Sequence, residues 1–452
     1  MPHKIKIRKG LNIPLKGKAE KILTKSPEQG SLFALKPTDF PSVIPKAAIK
    51  EGDAVKAGDI VFYSKYNPDV KFTSPVSGKL KSIVRGDRRK ILEFVIEPDG
   101  NQEYTKFDTA NLDDLSREKV IELLLSSGIW PLIRQRPYDI IANPDDLPKA
   151  IFISGFDSSP LAPDYDYILS GQDTDFQKGI DVLGKLTKGK IELTVNGKYP
   201  VSKIFNALKG VEINTITGPH PAGNVGVQMH HINPINKGEV AWHVNPQDIV
   251  IIGRLFNKGI FDARKTIALT GSEVLKPKYY KTIIGSSIDY MVKNNVTNEV
   301  KLRYISGNVL NGTKIAHNGY IGYYNNQVTV IPEGDEYEFF GWAMPGLKKF
   351  SVSRSFFSWL TPHKEYQINA NMHGSLRPFV FSEEYEKVLP MDILPVHLLK
   401  SIIIEDIDQM EALGIYEVGE EDFALCEFVC TSKIPVQETL RKGFDLMIKE
   451  TS

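Results

Sequence analysis

A short run of alternating β-branched residues that breaks into a turn dense in glycine and proline constrains this chain most. Val211, Ile213, Thr215 and Thr217 alternate with Glu212, Asn214 and Ile216, as a strand requires. The run then meets Gly218-Pro219-His220-Pro221-Ala222-Gly223-Asn224-Val225-Gly226. Such a turn beyond a strand end lets backbone approach a ligand closely, because glycine tolerates positive φ and carries no side chain. Gly218, Gly223, Asn224 and Gly226 therefore read as a cleft loop. His220, His230, His231 and His243 lie near it in the chain.

The surrounding pattern extends this unit. A helix is predicted over 115–127, ending at Gly128, followed by the Pro-bounded loop Ile129-Trp130-Pro131-Leu132-Ile133-Arg134-Gln135-Arg136-Pro137. Strands follow at 150–154 and 190–195, with helices at 174–186, 202–208 and from Pro246 to Gly259. Strand–helix alternation with glycine-bearing loops indicates a Rossmann-like α/β domain over 106–260. No G-x-G-x-x-G follows any of its strands, so dinucleotide binding in the usual mode is unsupported.

A chain of 452 residues exceeds one comfortable core, so further domains are expected. Residues 1–105 read as all-β. Their half-motifs, Ile49 to Asp59 and Phe72 to Leu80, resemble the barrel-sandwich of biotinyl and lipoyl carriers. The hairpin between them, Tyr63 to Val70, is long and has no methionines beside Lys65, so a structural module is expected, not a carrier. Residues 261–332 are strand-rich with one helix near 287–292, which fits a β-grasp of the soluble-ligand-binding (SLBB-like) kind. Residues 333–452 read as mixed and helical, with amphipathic helices at 390–404 and 436–448.

Charge is balanced, Lys+Arg 56 against Asp+Glu 55, which removes any general pull toward nucleic acid. Locally it is uneven. Lys4, Lys6, Arg8, Lys9, Lys16, Lys18, Lys21 and Lys25 face only Glu20, whereas the acidic run from Glu405 to Asp422 holds no basic residue. These are either solvated faces or docking surfaces of opposite sign. The run Phe350 to Leu360 gathers large apolar side chains around Arg354; core packing is its ordinary use, and a partner- or membrane-facing patch the alternative. No window offers the ~18–20 apolar residues that cross a bilayer.

Candidate chemistry is sparse. His230 and His231 are adjacent and point to different sides, and no carboxylate or cysteine has ligand spacing beside them, so no metal site is expected. Cys426 and Cys430 could share a helix face, but one pair does not hold an iron–sulfur cluster, which needs four ligands. P-loop, HExxH and G-x-S-x-G signatures are absent, and no catalytic residue is assigned.

Six segments carry a resemblance: Lys9-Gly10-Leu11-Asn12-Ile13-Pro14, Gly218 to Gly226, Arg354-Ser355-Phe356, Arg377-Pro378-Phe379, Pro390-Met391-Asp392-Ile393-Leu394-Pro395 and Cys426-Glu427-Phe428-Val429-Cys430. In order and end to end, they resemble the A-subunit family of the sodium-translocating NADH:quinone oxidoreductases of bacterial inner membranes. The resemblance implies a peripheral protein on the cytoplasmic side, docked chiefly on the membrane-embedded B-subunit and reaching the membrane only through its partners. It implies association with quinone as substrate, while flavins and an iron–sulfur centre sit on other subunits. The family is similar to the flavin-carrying subunit of respiratory complex I, whose glycine-rich flavin loop corresponds to Gly128–Arg134 here. Trp130 and Pro131 replace glycines in it, so no bound cofactor is expected in this chain. Trp130, Arg134 and Arg136, with His220 and His230, are the candidate quinone-facing groups; Lys9, Phe356, Phe357 and Trp359 are the candidate partner contacts. The alternative is a cofactor-free assembly scaffold on the B-subunit without a quinone site.

Overall fold

The computed structural model describes residues 2–24, 30–335, 338–341, 344 and 346–451; Lys25 of the basic N-terminal stretch lies outside them. At the centre stands a seven-stranded sheet. Its order is Lys4–Lys6, Glu212–Thr217, Lys190–Asn196, Ala150–Ser154, Ala241–His243, Arg134–Arg136 and Ile140–Ile141. The first five strands run parallel and the last two join antiparallel. The central strand Ala150–Ser154 is apolar and buried up to Ser154, because helices cover a parallel sheet on both faces.

Two helices set the thickness of this domain. Asp173–Leu186 buries Phe176, Ile180 and Leu183. Pro246–Lys258 is buried at every position from Pro246 to Phe256, and Gly259, at φ 65°, ends it by donating its N–H to the Leu255 carbonyl. They cross on glycine. A Cβ at Gly179 would lie 2.1 Å from the Ile249 oxygen, and one at Gly253 only 1.7 Å from the Asp175 oxygen.

The barrel-sandwich is built from a four-stranded sheet (Phe33–Leu35, Ile91–Pro98, Gly78–Arg85, Ala54–Val55) against a three-stranded one (Pro45–Ala47, Ile60–Ser64, Lys71–Thr73). Phe62, Phe72 and Phe94 stack at its centre, with ring centroids 4.3 and 5.0 Å apart. Lys65, at the hairpin, lies against the Tyr66 ring. A six-stranded sheet from Leu302–Ser306, Gln327–Pro332, Arg264–Thr270 and neighbours forms the β-grasp unit.

The first residues do not join the barrel. Lys4–Lys6 pairs in parallel with Glu212–Thr217 at the edge of the α/β sheet, and Leu23–Thr24 adds to the β-grasp sheet beside Lys278–Ile283. Polar alternation in so short a strand gives no sign of its partner, so sequence distance alone placed these residues with the barrel.

The C-terminal part packs Pro395–Ile403, Ile407–Ala412, Ala424–Val429 and Val436–Thr451 around a second core that includes Leu398, Phe423, Leu440 and Phe444. Cys426 lies in the third of these helices and Cys430 just beyond its end; both are buried, and the Tyr385 hydroxyl lies 2.9 Å from the Cys430 sulfur. Phe350 to Leu360 divides: Phe350 packs against this second core, and the rest of the run largely does not. Phe357 is 46% exposed and Trp359 52%, on a four-residue turn Phe357–Leu360. Among the described residues no helix is long and apolar enough to cross a membrane.

The glycine crossing yields a direct test. Gly253→Ala forces two helix backbones apart and is expected to cost about 3 kcal/mol, read as a fall of several degrees in the first calorimetric transition; Gly184→Ala, whose Cβ would meet nothing within 4 Å, should leave it unchanged.

Candidate functional site

The loop Gly218–Gly226 lies beyond the C-terminal end of a parallel strand, where α/β sheets hold ligands. Its glycines, however, admit the protein's own chain. A Cβ at Gly218 (φ 151°) would meet Ile7, one at Gly223 would meet Ser158, and one at Gly226 would lie 2.1 Å from an Asp422 carboxylate oxygen. The sequence foresaw close approach there; the visitor is the N-terminal strand on one side and the C-terminal segment on the other.

What remains open is a cavity of about 110 Å³ lined by Arg134, Asp157, Tyr165, His220, Gly223, Asn224, His243 and Glu421 among others. Its wall is ordered by hydrogen bonds. The Ser158 hydroxyl lies 2.9 Å from His220 Nδ1 and accepts the Gly223 N–H at 2.7 Å, while Asn12 accepts the His220 backbone N–H at 2.9 Å. Burial lowers His220 to about 4, so the ring is neutral at pH 7 and accepts from the serine through Nδ1. Asp157 is pushed up from its ordinary value by burial, against the pull of the Ser159 N–H that it accepts.

Below this cavity lies a cluster of buried charge. Arg136 is wholly inaccessible and stands between Asp139, Glu421 and Asp422 at 3.7, 3.3 and 3.7 Å. The Gly419 backbone packs on its guanidinium. Arg134 pairs with Asp139 and lies 4.8 Å over the Tyr324 ring, and His243 Nε2 is 3.0 Å from Asp139. Desolvation lowers His243 to about 4, only partly offset by its hydrogen bond to Asp139. Asp139 itself is held well below the carboxylate range by Arg134 and Arg136, which outweigh its burial. Glu421 rises to about 8 through burial and the neighbouring Asp422, against the attraction of Arg136.

The candidate residues thus separate. Arg134, His220, Gly223 and Asn224 line the cavity. Trp130 does not: it is fully buried, its Nε1 donates to the Ala142 carbonyl at 2.7 Å, and its ring stands edge-on to Trp242 at 5.5 Å. Gly128, before it, packs on Thr73 of the barrel. A tryptophan at the seam of two domains is a large apolar side chain with one donor to satisfy, and both needs are met internally. Arg136 is likewise committed to its carboxylates. His230 receives the Asp392 N–H on Nε2 at 3.0 Å and donates from Nδ1 to Glu417 at 2.8 Å; His231 donates to the Pro390 carbonyl at 2.9 Å. These two histidines staple the C-terminal segment to the α/β domain. No group of three or more His, Cys, Asp or Glu side chains is placed to hold a metal ion among the described residues.

The later part of the acidic run turns inward, while Glu405 and Asp408 stay exposed. Glu411 pairs with Lys237, Glu417 with His230, Glu420 with Arg441, and Glu421 and Asp422 with Arg136. Sequence reading missed Asp139, Asp157, His243 as a cavity residue, and Tyr324. Their only signal was a buried aspartate or tyrosine beside arginines, which becomes visible when distant strands meet.

A Rossmann-like sheet between a barrel-sandwich and a β-grasp, with its ligand-side cleft largely filled by the chain's own ends, defines a multidomain α/β protein of this three-module class. Residues 5–99 match the family described as the NqrA N-terminal barrel-sandwich hybrid domain, 115–261 the NqrA second alpha/beta domain, and 266–317 the NQRA C-terminal domain. The chain is 38% identical over 452 residues to the A-subunit of the Na(+)-translocating NADH-quinone reductase of Neisseria meningitidis serogroup B, covering 99% of this chain and 100% of that one. It is 38% identical over 440 residues to the protein of the same name from Yersinia pestis, covering 97% and 98%. The chain belongs to the NqrA family, the A-subunits of Na(+)-translocating NADH-quinone reductases. It is also similar to a chain of an NAD+-reducing [NiFe]-hydrogenase at 11% identity, over 75% of this chain and 62% of that one, with a TM-score of 0.39.

Two outcomes follow from the buried groups. Trp130→Ala should cost about 3–5 kcal/mol through the cavity it leaves, seen as a lowered melting temperature with or without any ligand. The second concerns pH. Glu421, raised in the folded state, adds stability that is present below its usual 4.5 and lost as pH climbs through about 8. His220 and His243, lowered from 6.5 to about 4, give stability that is present above 6.5 and lost as pH falls toward 4. Glu421→Gln should therefore flatten the alkaline limb of melting temperature against pH between about 4.5 and 8 and leave the acid limb in place.

Proposed function

We propose that this chain serves as a peripheral component on the cytoplasmic side of a bacterial inner-membrane complex that passes electrons from NADH to quinone and exports Na+. Its end-to-end identity with proteins named for that reaction, over 99% of its own length, carries the reading. Supporting it, Phe357 and Trp359 stand uncovered on the face that also carries Lys9, so this part of the chain has apolar side chains that only another body, partner subunit or membrane, can cover. Flavins and the iron–sulfur centre belong to other subunits in this reading. In support of that reading, Trp130, Pro131 and Leu132 are buried in the loop Gly128–Arg134, and the glycine before them abuts the barrel.

In the quinone-associated form of this proposal, the groups that face a quinone carbonyl are Arg134 and His220, the two candidates that border the cavity. A specific observation favours the scaffold form instead. The cavity is polar and about 110 Å³, whereas organic ligands usually occupy largely apolar pockets of about 300 Å³ or more. A scaffold would dock on the B-subunit and leave quinone to its neighbours in the complex.

One preparation tests each level. Tagged chain recovered from detergent-solubilised membranes should bring integral subunits and Na+-stimulated NADH:quinone reductase activity with it; recovery only as a free chain overturns complex membership. Titration of the purified chain with a short-chain quinone then separates the two forms. A saturable rise in melting temperature that is lost in Arg134→Gln supports a quinone contact here, and no rise at any soluble concentration supports the scaffold.

A further inference from the structure

Half of the large apolar side chains that stand exposed among the described residues lie between Phe339 and Phe381, in less than a tenth of the chain. Phe339 is 89% exposed, Leu347 69%, Leu360 59%, Trp359 52% and Phe381 61%. The segment forms no strand, and its longest helical piece among the described residues is the turn Phe357–Leu360. It therefore presents separate apolar tips and no groove.

Its charge is one-sided. Over 346–381 the basic residues are Lys348, Lys349, Arg354, Lys364 and Arg377, against Glu365 alone. At the borders Glu338 pairs with Lys349, and Glu384 pairs with Lys387, so these two acids are answered. Glu383 is exposed nearby. Several cations lie against ring faces: Lys349 is 5.2 Å from the Phe356 ring and Lys364 5.2 Å from Tyr366.

The fold brings the basic N-terminus to the same face. Leu15 bridges in parallel to Tyr366, the Lys16 N–H donates to the Tyr366 carbonyl at 3.1 Å, and the Gly10 N–H donates to the Lys387 carbonyl at 3.0 Å. Lys9, Lys16 and Lys18 are exposed beside it. Two features some 340 residues apart in sequence are thereby one basic, apolar-tipped surface.

From this juxtaposition we propose that residues 346–381, with Lys16 and Lys18, form a lipid-contacting face that rests on an anionic membrane leaflet. It rests on the reading that the chain works at a membrane and adds a direct contact to the expected one through partners. Charge complementarity and residue type select the occupant. Protein interfaces deplete lysine and bury their apolar side chains in complementary pockets. Here lysines alternate with isolated aromatic and aliphatic tips, the arrangement that suits a headgroup layer, where tryptophan and phenylalanine reach the acyl boundary and lysine and arginine meet lipid phosphate.

The test floats the purified full chain with vesicles of phosphatidylcholine alone and of phosphatidylcholine with phosphatidylglycerol. Binding to the anionic vesicles is expected, weakened by salt, together with a blue shift of fluorescence that disappears in Trp359→Phe. Because the residues are exposed, Lys348→Gln and Arg354→Gln should leave the melting temperature unchanged while each lowers vesicle partitioning roughly fivefold. The double variant Phe357→Ser/Trp359→Ser should abolish flotation. Equal binding to neutral vesicles, or binding unaltered in these variants, overturns the proposal. If the chain co-purifies with integral subunits yet does not float with anionic vesicles, the face is a protein interface, and the proposal falls while the complex reading stands.

Discussion

Arg136 holds the molecule together. Its guanidinium, with no exposed surface, lies between Asp139 of its own domain and Glu421 and Asp422 of the C-terminal segment. A buried cation left without its partners destabilises by about 3–5 kcal/mol, so the α/β domain and the C-terminal helices cannot part without exposing uncompensated charge to a low dielectric. His230 on Glu417 and Asp392, Asn224 on the Glu421 carbonyl, and Gly226 against Asp422 extend the same seam. The acidic stretch, which alone would suggest a docking surface, is an internal partner for this arginine and its neighbours.

That seam also decides what the cleft can do. In an α/β sheet the space beyond the strand ends is where a ligand sits. Here Ile7 occupies it from one side, Asp422 from the other, and Trp130 fills the corner toward the barrel. The small polar cavity left over has a neutral His220, a paired Arg134 and two carboxylates with raised affinity for protons, Asp157 and Glu421. Such a site suits small polar groups better than an apolar ring.

Much of the scaffold was legible in sequence because periodicity and chain-end signals are local. The strand Ala150–Ser154, the helix closed by Gly259 and the strand running into Gly218 stand where the pattern put them. The site was less legible. Trp130, Arg136 and His230 were chosen because aromatic, arginine and histidine side chains in loops suit a ligand; each instead satisfies an internal need, since a buried donor or charge must find a partner and the chain itself supplied one. Arg134 and His220 were chosen on the same grounds and do border the cavity. Nothing in the local pattern separates these outcomes.

Sequence by itself determined the longer strands and helices of the α/β domain, the absence of a membrane-length apolar helix among the described residues, and family membership through motifs spread along the whole chain. Only the tertiary structure decided that the first strand leaves the barrel for the α/β sheet, that Glu417 to Asp422 of the acidic run turn inward while the described basic residues from Lys4 to Lys21 stay exposed, and that Phe357 and Trp359 stand uncovered. The physical reason is range. Backbone preference and apolar period act over a few residues, whereas the partner of a buried charge or the cover of an apolar side chain is fixed by whichever distant segment reaches it first in space.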